Sequence, residues 1–518
     1  MRPAGQLDRG LDRTLEWGAV ASAAVLCTIV LFSVKLNTDA GWFLYLAERV
    51  RAGESLYVDR IEINLPWIVY LSRVPVGLAR WIGASEIAVT RSLIFLATVG
   101  SVYVTARCVR GEARSSITAP VLAAWLLLVL LWIPGSDIGE REHLFVLAFV
   151  PYVALRSWKG APTVRTAVVV GLAAGVTVAL KPHFVPIWVA IEIDRRLAGY
   201  RWDRPESVSA GIVLGLSAAL LPLLHPEYFD LIRDYWALYS DFRSASPWRL
   251  LGTEALTVLV IAGATLGSLK DREFATWTRG FIVAALVSLL VGIGQAKGFT
   301  YHLYPAHAFA AILLLLLAIR LPRLLGRATG KRVLVPLVWT ALSLYVLWGA
   351  ELHRWSARGD AALFDSAVEL LSQRADGGTV LVLSVRMPDV FPLINVAGVA
   401  WASRYNSMWP LVSLYAGEGE PGDAVLLRDT ASMGESERRF FGDLVADLSR
   451  YEPGVVLVDT EYEPALGGRF DYLAYLAQDS LASREISRYA PGERLGRWRV
   501  YERDGQFFRT QTTAVESE

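Results

Sequence analysis

The chain has 518 residues, of which 54% are hydrophobic and only 19% charged, with a formal net charge of +1. A soluble domain carries about 25% charge, so the deficit excludes an ordinary soluble protein. A net charge this close to zero gives no electrostatic ground for a nucleic-acid partner.

A basic leader with Arg2, Arg9 and Arg13 precedes the first apolar run, 17–36. The positive-inside rule keeps that leader cytoplasmic, and no small-residue cleavage site follows, so the run reads as an anchor rather than a signal peptide. Further apolar runs follow at 88–106, 118–134, 144–157, 166–181, 184–195, 208–224, 254–269, 276–294, 304–320 and 332–350. Together they predict about eleven membrane-crossing helices. Many tryptophans stand at run edges (Trp17, Trp42, Trp132, Trp158, Trp277, Trp355), as an interfacial aromatic belt requires.

The first long connection, 37–87, contains two helix-like stretches. Residues 40–52 have apolar positions at helical spacing with Glu48, Arg49 and Arg51 on another face, which suits a helix lying in the membrane surface. Asp39 stands at its N-terminus, either as an N-cap or as a carboxylate held at the membrane boundary. Residues 67–82 form the second such stretch.

The later connections alternate. One set is short and basic: Arg107, Arg110, Arg114; Arg156, Lys159, Arg165; Arg195, Arg196, Arg201, Arg204; Lys270, Arg272, Arg279; Arg320, Arg323, Arg327, Lys331, Arg332. These face the cytoplasm. The acidic or mixed set, with loops 37–87 and 225–253, faces the other side. The stretch 166–195 tests the scheme, because Lys181-Pro182-His183 interrupts it. One long helix would bury a lysine in mid-membrane and invert the later charge bias. Two short spans with Lys181 at the outer turn preserve that bias, and proline ends the first span. An odd span count then puts the C-terminus outside.

Beyond residue 352 the pattern changes. Short apolar runs (379–384, 455–459, 497–501) alternate with polar helical patterns at 435–450 and 469–482, which predicts a soluble α/β domain. The domains are therefore 1–351, in the membrane, and 352–518, outside it. Residues 511–518 read as a frayed tail. The segment 404–409 reads as core or surface packing in preference to a carbohydrate groove. Cys27 and Cys108 lie at different depths, so no disulfide is expected.

The polar residues converge on one side. All six histidines (His143, His183, His225, His302, His307, His353) fall at or near outer ends of spans. So do Asp39, Asp137, Glu140, Arg141, Glu142, Lys181 and Lys297, while inner ends hold almost only Arg and Lys. Ionisable groups at membrane depth are costly, so their gathering on one face points to a site.

At this point the sequence resembles a family. A first span is followed by Asp39, a surface helix, a Gly-x-x-x-Tyr-x-Asp turn (Gly53 to Asp59) and an Asn64-Leu-Pro66 segment. This looks like the GT-C class of membrane glycosyltransferases, which includes protein mannosyltransferases, the lipid A aminoarabinose transferase and the mycobacterial arabinosyltransferases. Gly139-Glu-Arg-Glu-His143, Leu180-Lys-Pro-His-Phe184 and Gln295-Ala-Lys-Gly-Phe-Thr-Tyr-His302 look like outer-face motifs of uncharacterised bacterial members. The chain departs from the better-known members in having no Lys-Pro-Pro or Asn-Pro-Pro tripeptide and no acidic neighbour beside Asp39.

The resemblance implies a bacterial inner-membrane enzyme, N-terminus cytoplasmic and C-terminal domain periplasmic. It would transfer a sugar from a polyprenyl-phosphate-linked donor to an envelope glycan, lipid or protein, by single displacement with inversion. Asp39 is then the general base. Arg141, Lys181, Lys297 and His302 are the candidates for the leaving phosphate, and Glu62, Glu142, His143 and His183 for orienting those cations or binding sugar hydroxyls. No ligand spacing for zinc is present, no metal-binding residue is assigned, and a divalent cation stays open. Membrane lipids and other envelope-assembly proteins are the expected partners. The alternatives are a transporter or flippase, or a non-catalytic scaffold of polysaccharide assembly.

Overall fold

The computed structural model describes residues 4–112, 119–157, 162–242, 245–324, 361–375, 378–416 and 424–503. They fall into two compact units. Of the described residues, the first comprises those up to Leu36, Leu65–Leu224 and 245–324; the second gathers Asn37–Asn64, 225–242 and those from 361 to 503.

The first unit is helical. Every apolar run up to residue 320 forms a helix, and the run 332–350 lies outside the described residues. Among the described residues, four helices are long and apolar enough to cross a membrane: Glu86–Val109, Pro205–Leu224, Arg272–Gln295 and Thr300–Arg320. The number rises to six if each of two bent helix pairs is one span, and Pro120–Trp132 and Val164–Ala179 are shorter apolar helices. The chain is a multi-pass membrane protein.

The helix Arg141–Ser157 lies in the core of this unit. Phe145, Val146, Phe149, Val150, Tyr152 and Val153 are all fully buried. Phe145 stacks on Phe149 at 4.6 Å and on Phe184 at 4.4 Å, and Phe149 meets Phe309 edge-on at 6.3 Å. A helix apolar on all sides has no solvent face, so its first turn is carried inside the bundle. The helix Val164–Ala179 packs on Pro205–Leu224 through small residues. A Cβ on Gly175 would stand 2.9 Å from Ala210 Cα, and one on Gly171 would strike the backbone of Glu206. Such glycines let helix backbones touch.

The interruption at Lys181 separates two helices, as proline dictates. Val164–Ala179 ends, Lys181 is extended (φ −150°, ψ 126°), Pro182–Phe184 makes a 3₁₀ turn, and Val185–Leu197 begins.

In the second unit, β1 (Thr379–Leu383), β2 (Ala400–Trp401), β3 (Val455–Asp459), β4 (Tyr489–Leu495) and β5 (Trp498–Arg503) form one mixed sheet in the order β2-β1-β3-β5-β4. β1 is parallel to β2 and β3, while β5 is antiparallel to β3 and β4. β3 is buried along its whole length and β1 nearly so, as central parallel strands of Val and Leu should be. Helix Glu435–Tyr451 buries Phe440, Phe441, Leu444, Val445 and Leu448, a stripe at helical spacing. The stretch 469–482, expected as one helix, is two: Tyr472–Leu476 and Ser480–Ile486. Asp471 and Asp479 each accept hydrogen bonds from following amides and start separate helices.

The first-loop helix Thr38–Arg51 departs from expectation. Residues Ala40 to Ala47 are all buried, so no face is left to lie in a membrane surface. Its cover comes from the C-terminal region. Trp42 and Tyr45 pack on Phe391 at 5.0 and 5.6 Å, Trp401 N–H donates to Tyr45 Oη at 3.0 Å, and Asn395 Nδ2 donates to the Gly41 carbonyl at 3.1 Å. Arg60 is buried beside it, bound to Glu54 at 2.6 Å and to the Ser403 carbonyl at 2.6 Å. Trp42 therefore belongs to this core and not to an aromatic belt. Trp277 is also buried, under Arg320, whereas Trp17 is exposed; Trp158 and Trp355 lie outside the described residues.

Candidate functional site

The site in the first unit begins with a widened helical turn. Helix Ala119–Leu127 continues into a π-turn, Leu128–Trp132, and then a 3₁₀ turn, Gly135–Asp137. Carbonyls in the π-turn accept side-chain donors: Tyr304 Oη donates to Val129 at 3.1 Å, and His143 Nε2 donates to Leu130 at 2.7 Å. The Gly139 amide donates to His143 Nδ1 at 3.2 Å. An amide donor on Nδ1 and a carbonyl on Nε2 assign the proton to Nε2. Both ring nitrogens of His143 are thus engaged by the backbone, and the ring ties the loop to the π-turn.

That loop delivers Arg141 and Glu142 into the first turn of the core helix. Gly139 at φ +95° makes the reversal. Glu142 Oε1 lies 2.5 Å from Lys181 Nζ and 3.9 Å from His302 Nε2. Glu142, Lys181 and His302 are all buried. Lys181 also stands 5.6 Å above the Tyr301 ring, which stacks on Phe299 and takes the His302 ring edge-on at 4.4 Å. Lys297 lies between two left-handed residues, Ala296 (φ 53°) and Gly298 (φ 73°). The charges of Arg141, Lys181 and Lys297 all act on His183 and His302. Arg141 Nε is 3.9 Å from Glu140, and Thr300 donates to Asp137 at 3.3 Å.

Thus Arg141, Glu142, Lys181, His183, Lys297 and His302 come together from three separated segments. Three cations, Arg141, Lys181 and Lys297, and three buried carboxylates, Asp137, Glu140 and Glu142, share this region. Glu142 Oε2 and His302 Nδ1 are buried without a hydrogen-bond partner. Buried polar atoms normally have one, so these two stand out within the cluster. Among the described residues, no group of three or more His, Cys, Asp or Glu is arranged to hold a metal ion.

Asp39 and Glu62 belong to the second unit. The side chain of Asn37, not that of Asp39, caps the helix, accepting from the Asp39 amide at 2.8 Å. Asp39 occupies the first turn, one helical step before Trp42 on the same face. Trp42 Nε1 donates to Glu62 Oε2 at 2.6 Å, and Glu62 Oε1 accepts from the Asn64 amide at 2.7 Å and from its side chain at 2.6 Å. Buried Glu62 therefore orients the turn that carries Asp39.

The remaining histidines have other surroundings. His307 pairs with Glu254 at 2.8 Å, His225 pairs with Glu227 at 2.9 Å, and His353 lies outside the described residues. The ends read as cytoplasmic are less purely basic than their sequence suggests. Arg195 binds Glu192 at 3.0 Å and also Glu206, Arg204 binds Glu206 at 2.7 Å, and Arg279 binds Asp194. Tyr301 lies in the 295–302 motif but is not one of the candidate site residues read from it, and the π-turn carries no sequence signal that marks it. The segment 404–409 is packing: Arg404 pairs with Asp443 at 2.7 Å and Asp447 at 3.0 Å, and Tyr405 is fully buried.

The fold defines a polytopic membrane protein with a buried cluster of ionisable side chains. No protein-family model and no curated protein matches the chain. Among solved structures, it is similar to the mycobacterial arabinofuranosyltransferase AftD, with 14% identity over 93% of this chain and 39% of that one, at a TM-score of 0.43. A single-substitution variant of AftD aligns with 16% identity over 93% of this chain and 41% of that one, at a TM-score of 0.40. The chain spans about two fifths of the length of those proteins.

Proposed function

We propose that the chain is a membrane glycosyltransferase that takes its sugar from a polyprenyl-phosphate-linked donor. The observation that carries this reading is the gathering of Arg141, Lys181, Lys297 and two histidines around Glu142. A membrane-depth site rich in cations suits the phosphate of a lipid carrier. The sequence resemblance to GT-C enzymes points the same way.

In the reaction, an acceptor hydroxyl oxygen attacks the anomeric carbon and its proton passes to Asp39. The bond from the anomeric carbon to the phosphate oxygen breaks, leaving polyprenyl phosphate, and configuration inverts. A general base contributes roughly 10²–10⁴-fold to such a step. Arg141, Lys181, Lys297 and His302 meet the charge that develops on the phosphate. Lys181 exchanges part of its contact with Glu142 for phosphate oxygens. Glu142 and His183 orient the cations or the sugar hydroxyls, while His143 and Glu62 position the elements that carry the reacting groups.

The topology that goes with this function has about eleven spans, a cytoplasmic N-terminus, and residues 352–518 in the periplasm, where they bind the acceptor or cover the site. The test is transfer by purified protein in nanodiscs from a panel of polyprenyl-phosphate sugars, comparing wild type, Asp39→Asn and Lys181→Gln. Loss of transfer in both variants, with folding intact, supports the proposal. Undiminished transfer by folded Asp39→Asn would remove Asp39 as the base, and no turnover with any donor would remove the function.

A further inference from the structure

The helix Glu227–Ser240 has three faces. Leu231, Tyr235 and Leu238 are buried, and Tyr235 packs on Tyr405 and Trp409 of its own unit. Tyr235 Oη lies 2.5 Å from Tyr405 Oη, which donates to Asp443 at 2.6 Å, and Asp234 and Asp241 are held by Arg439 and Ser413. A second face bears Phe229 and Trp236, which are 50% and 60% exposed, with half-buried Ile232 and Tyr239 beside them. At helical spacing these four make one apolar stripe. The third face is polar, with Asp230 and Arg233 paired at 3.0 Å. The helix therefore exposes large aromatics beside a charged flank although it is firmly anchored from behind.

Its place in the chain identifies what covers that stripe. Leu224 ends Pro205–Leu224, one of the helices able to cross a membrane, and only His225 and Pro226 separate it from Glu227. Three steps of chain reach at most about 11 Å, and the polar layer of a bilayer is roughly 5–7 Å deep on each side. The helix thus starts within, or no more than about 6 Å beyond, the headgroup layer. A stripe of Phe, Trp, Tyr and Ile flanked by charge is suited to that boundary, where aromatic rings take apolar cover on one side and water on the other.

We infer that the Phe229–Trp236 stripe docks on the lipid surface and straps the C-terminal α/β unit to the membrane at the end of the helix Pro205–Leu224. The strap does for this unit what the buried helix Thr38–Arg51 cannot, because the latter has no free apolar face.

Full-length protein in phosphatidylcholine–phosphatidylglycerol nanodiscs tests this. Cys27 and Cys108 are both buried, so cysteines introduced singly by Phe229→Cys, Trp236→Cys or Arg233→Cys take an environment-sensitive dye selectively. The dye at 229 and at 236 should emit at shorter wavelength and lose most of its intensity to doxyl-labelled lipid. The dye at 233 should respond to aqueous iodide instead. Equal iodide quenching at all three positions overturns the inference. So does shielding of 229 and 236 from both quenchers, which would mean that a second copy or another protein covers the stripe. If a dye perturbs folding, quenching of native tryptophan by brominated lipid, compared between wild type and Trp236→Ser, reads the same contact. No loss of quenching in the variant would overturn the inference.

Discussion

Lys181 Nζ lies 2.5 Å from Glu142 Oε1 at a site where both residues are buried, although they are 39 positions apart in the chain. Taking two charges out of water costs more than their attraction easily returns, so such a pair is poor evidence of a stabilising device. Only one carboxylate oxygen of Glu142 meets the lysine, and the other is buried without a hydrogen-bond partner. Breaking the pair from one side strands the other charge. Lys181→Met or Glu142→Leu alone should cost about 3–5 kcal/mol. The double variant should recover much of that stability while transfer stays lost. Thermal unfolding in detergent, read with the transfer assay, checks this; single variants with unchanged midpoints would contradict it.

Glu62 accepts the Trp42 indole N–H at 2.6 Å. Glu62→Ala leaves the Trp42 indole N–H and the Asn64 amide without their acceptor. A hydrogen bond to a charged group is worth about 1.5–3 kcal/mol, and a stability loss of that size should appear. If Asp39 is the base, kcat should fall more than KM rises, because Glu62 is not among the groups proposed to hold the donor phosphate. Glu62→Gln keeps an acceptor for Trp42 and should be the milder change. Equal effects of the two substitutions would argue against positioning.

The packing of Val164–Ala179 on Pro205–Leu224 leaves no room at Gly175. Gly175→Leu must push the helices apart. Overpacking of this kind costs about 1–3 kcal/mol, and the obstacle here is backbone rather than a flexible side chain. Lower yield of monodisperse protein and a lower unfolding midpoint are the expected results. Gly211→Leu serves as the comparison, since a Cβ at Gly211 meets nothing within 4 Å.

The second unit should lose stability in acid through Glu54. Burial alone would raise that carboxyl, but Arg60 and Arg49 outweigh it and hold the group below its ordinary value. A carboxylate depressed in the folded state contributes stability that is fully present above its unfolded value, about 4.3. That stability is lost as pH falls toward the folded value, because only the unfolded chain then takes up the proton readily. Wild type should therefore lose more stability than Glu54→Gln between about pH 6 and pH 3. Parallel pH profiles for the two proteins would refute the assignment.

Sequence by itself determined the helices over the apolar runs up to residue 320, the break at Lys181-Pro182, strands β1, β3 and β5, and the helix Glu435–Tyr451. Each rests on information confined to a short window: hydrophobic period, proline sterics, β-branched runs. Sequence also collected most residues of the cation cluster, because charge is conspicuous in an apolar chain. Tertiary structure alone decided the rest. Thr38–Arg51 has the pattern of a surface helix, yet Phe391 and Trp401, from more than 300 residues downstream, supply the cover that buries it. The two-residue β2 has no period to read, and the π-turn that receives His143 is set by donors from other helices. The pairing of Lys181 with Glu142, and of Trp42 with Glu62, depends on which chain segments meet. Local pattern fixes how a segment folds; which buried charge or indole finds which partner is settled only when distant segments share one core.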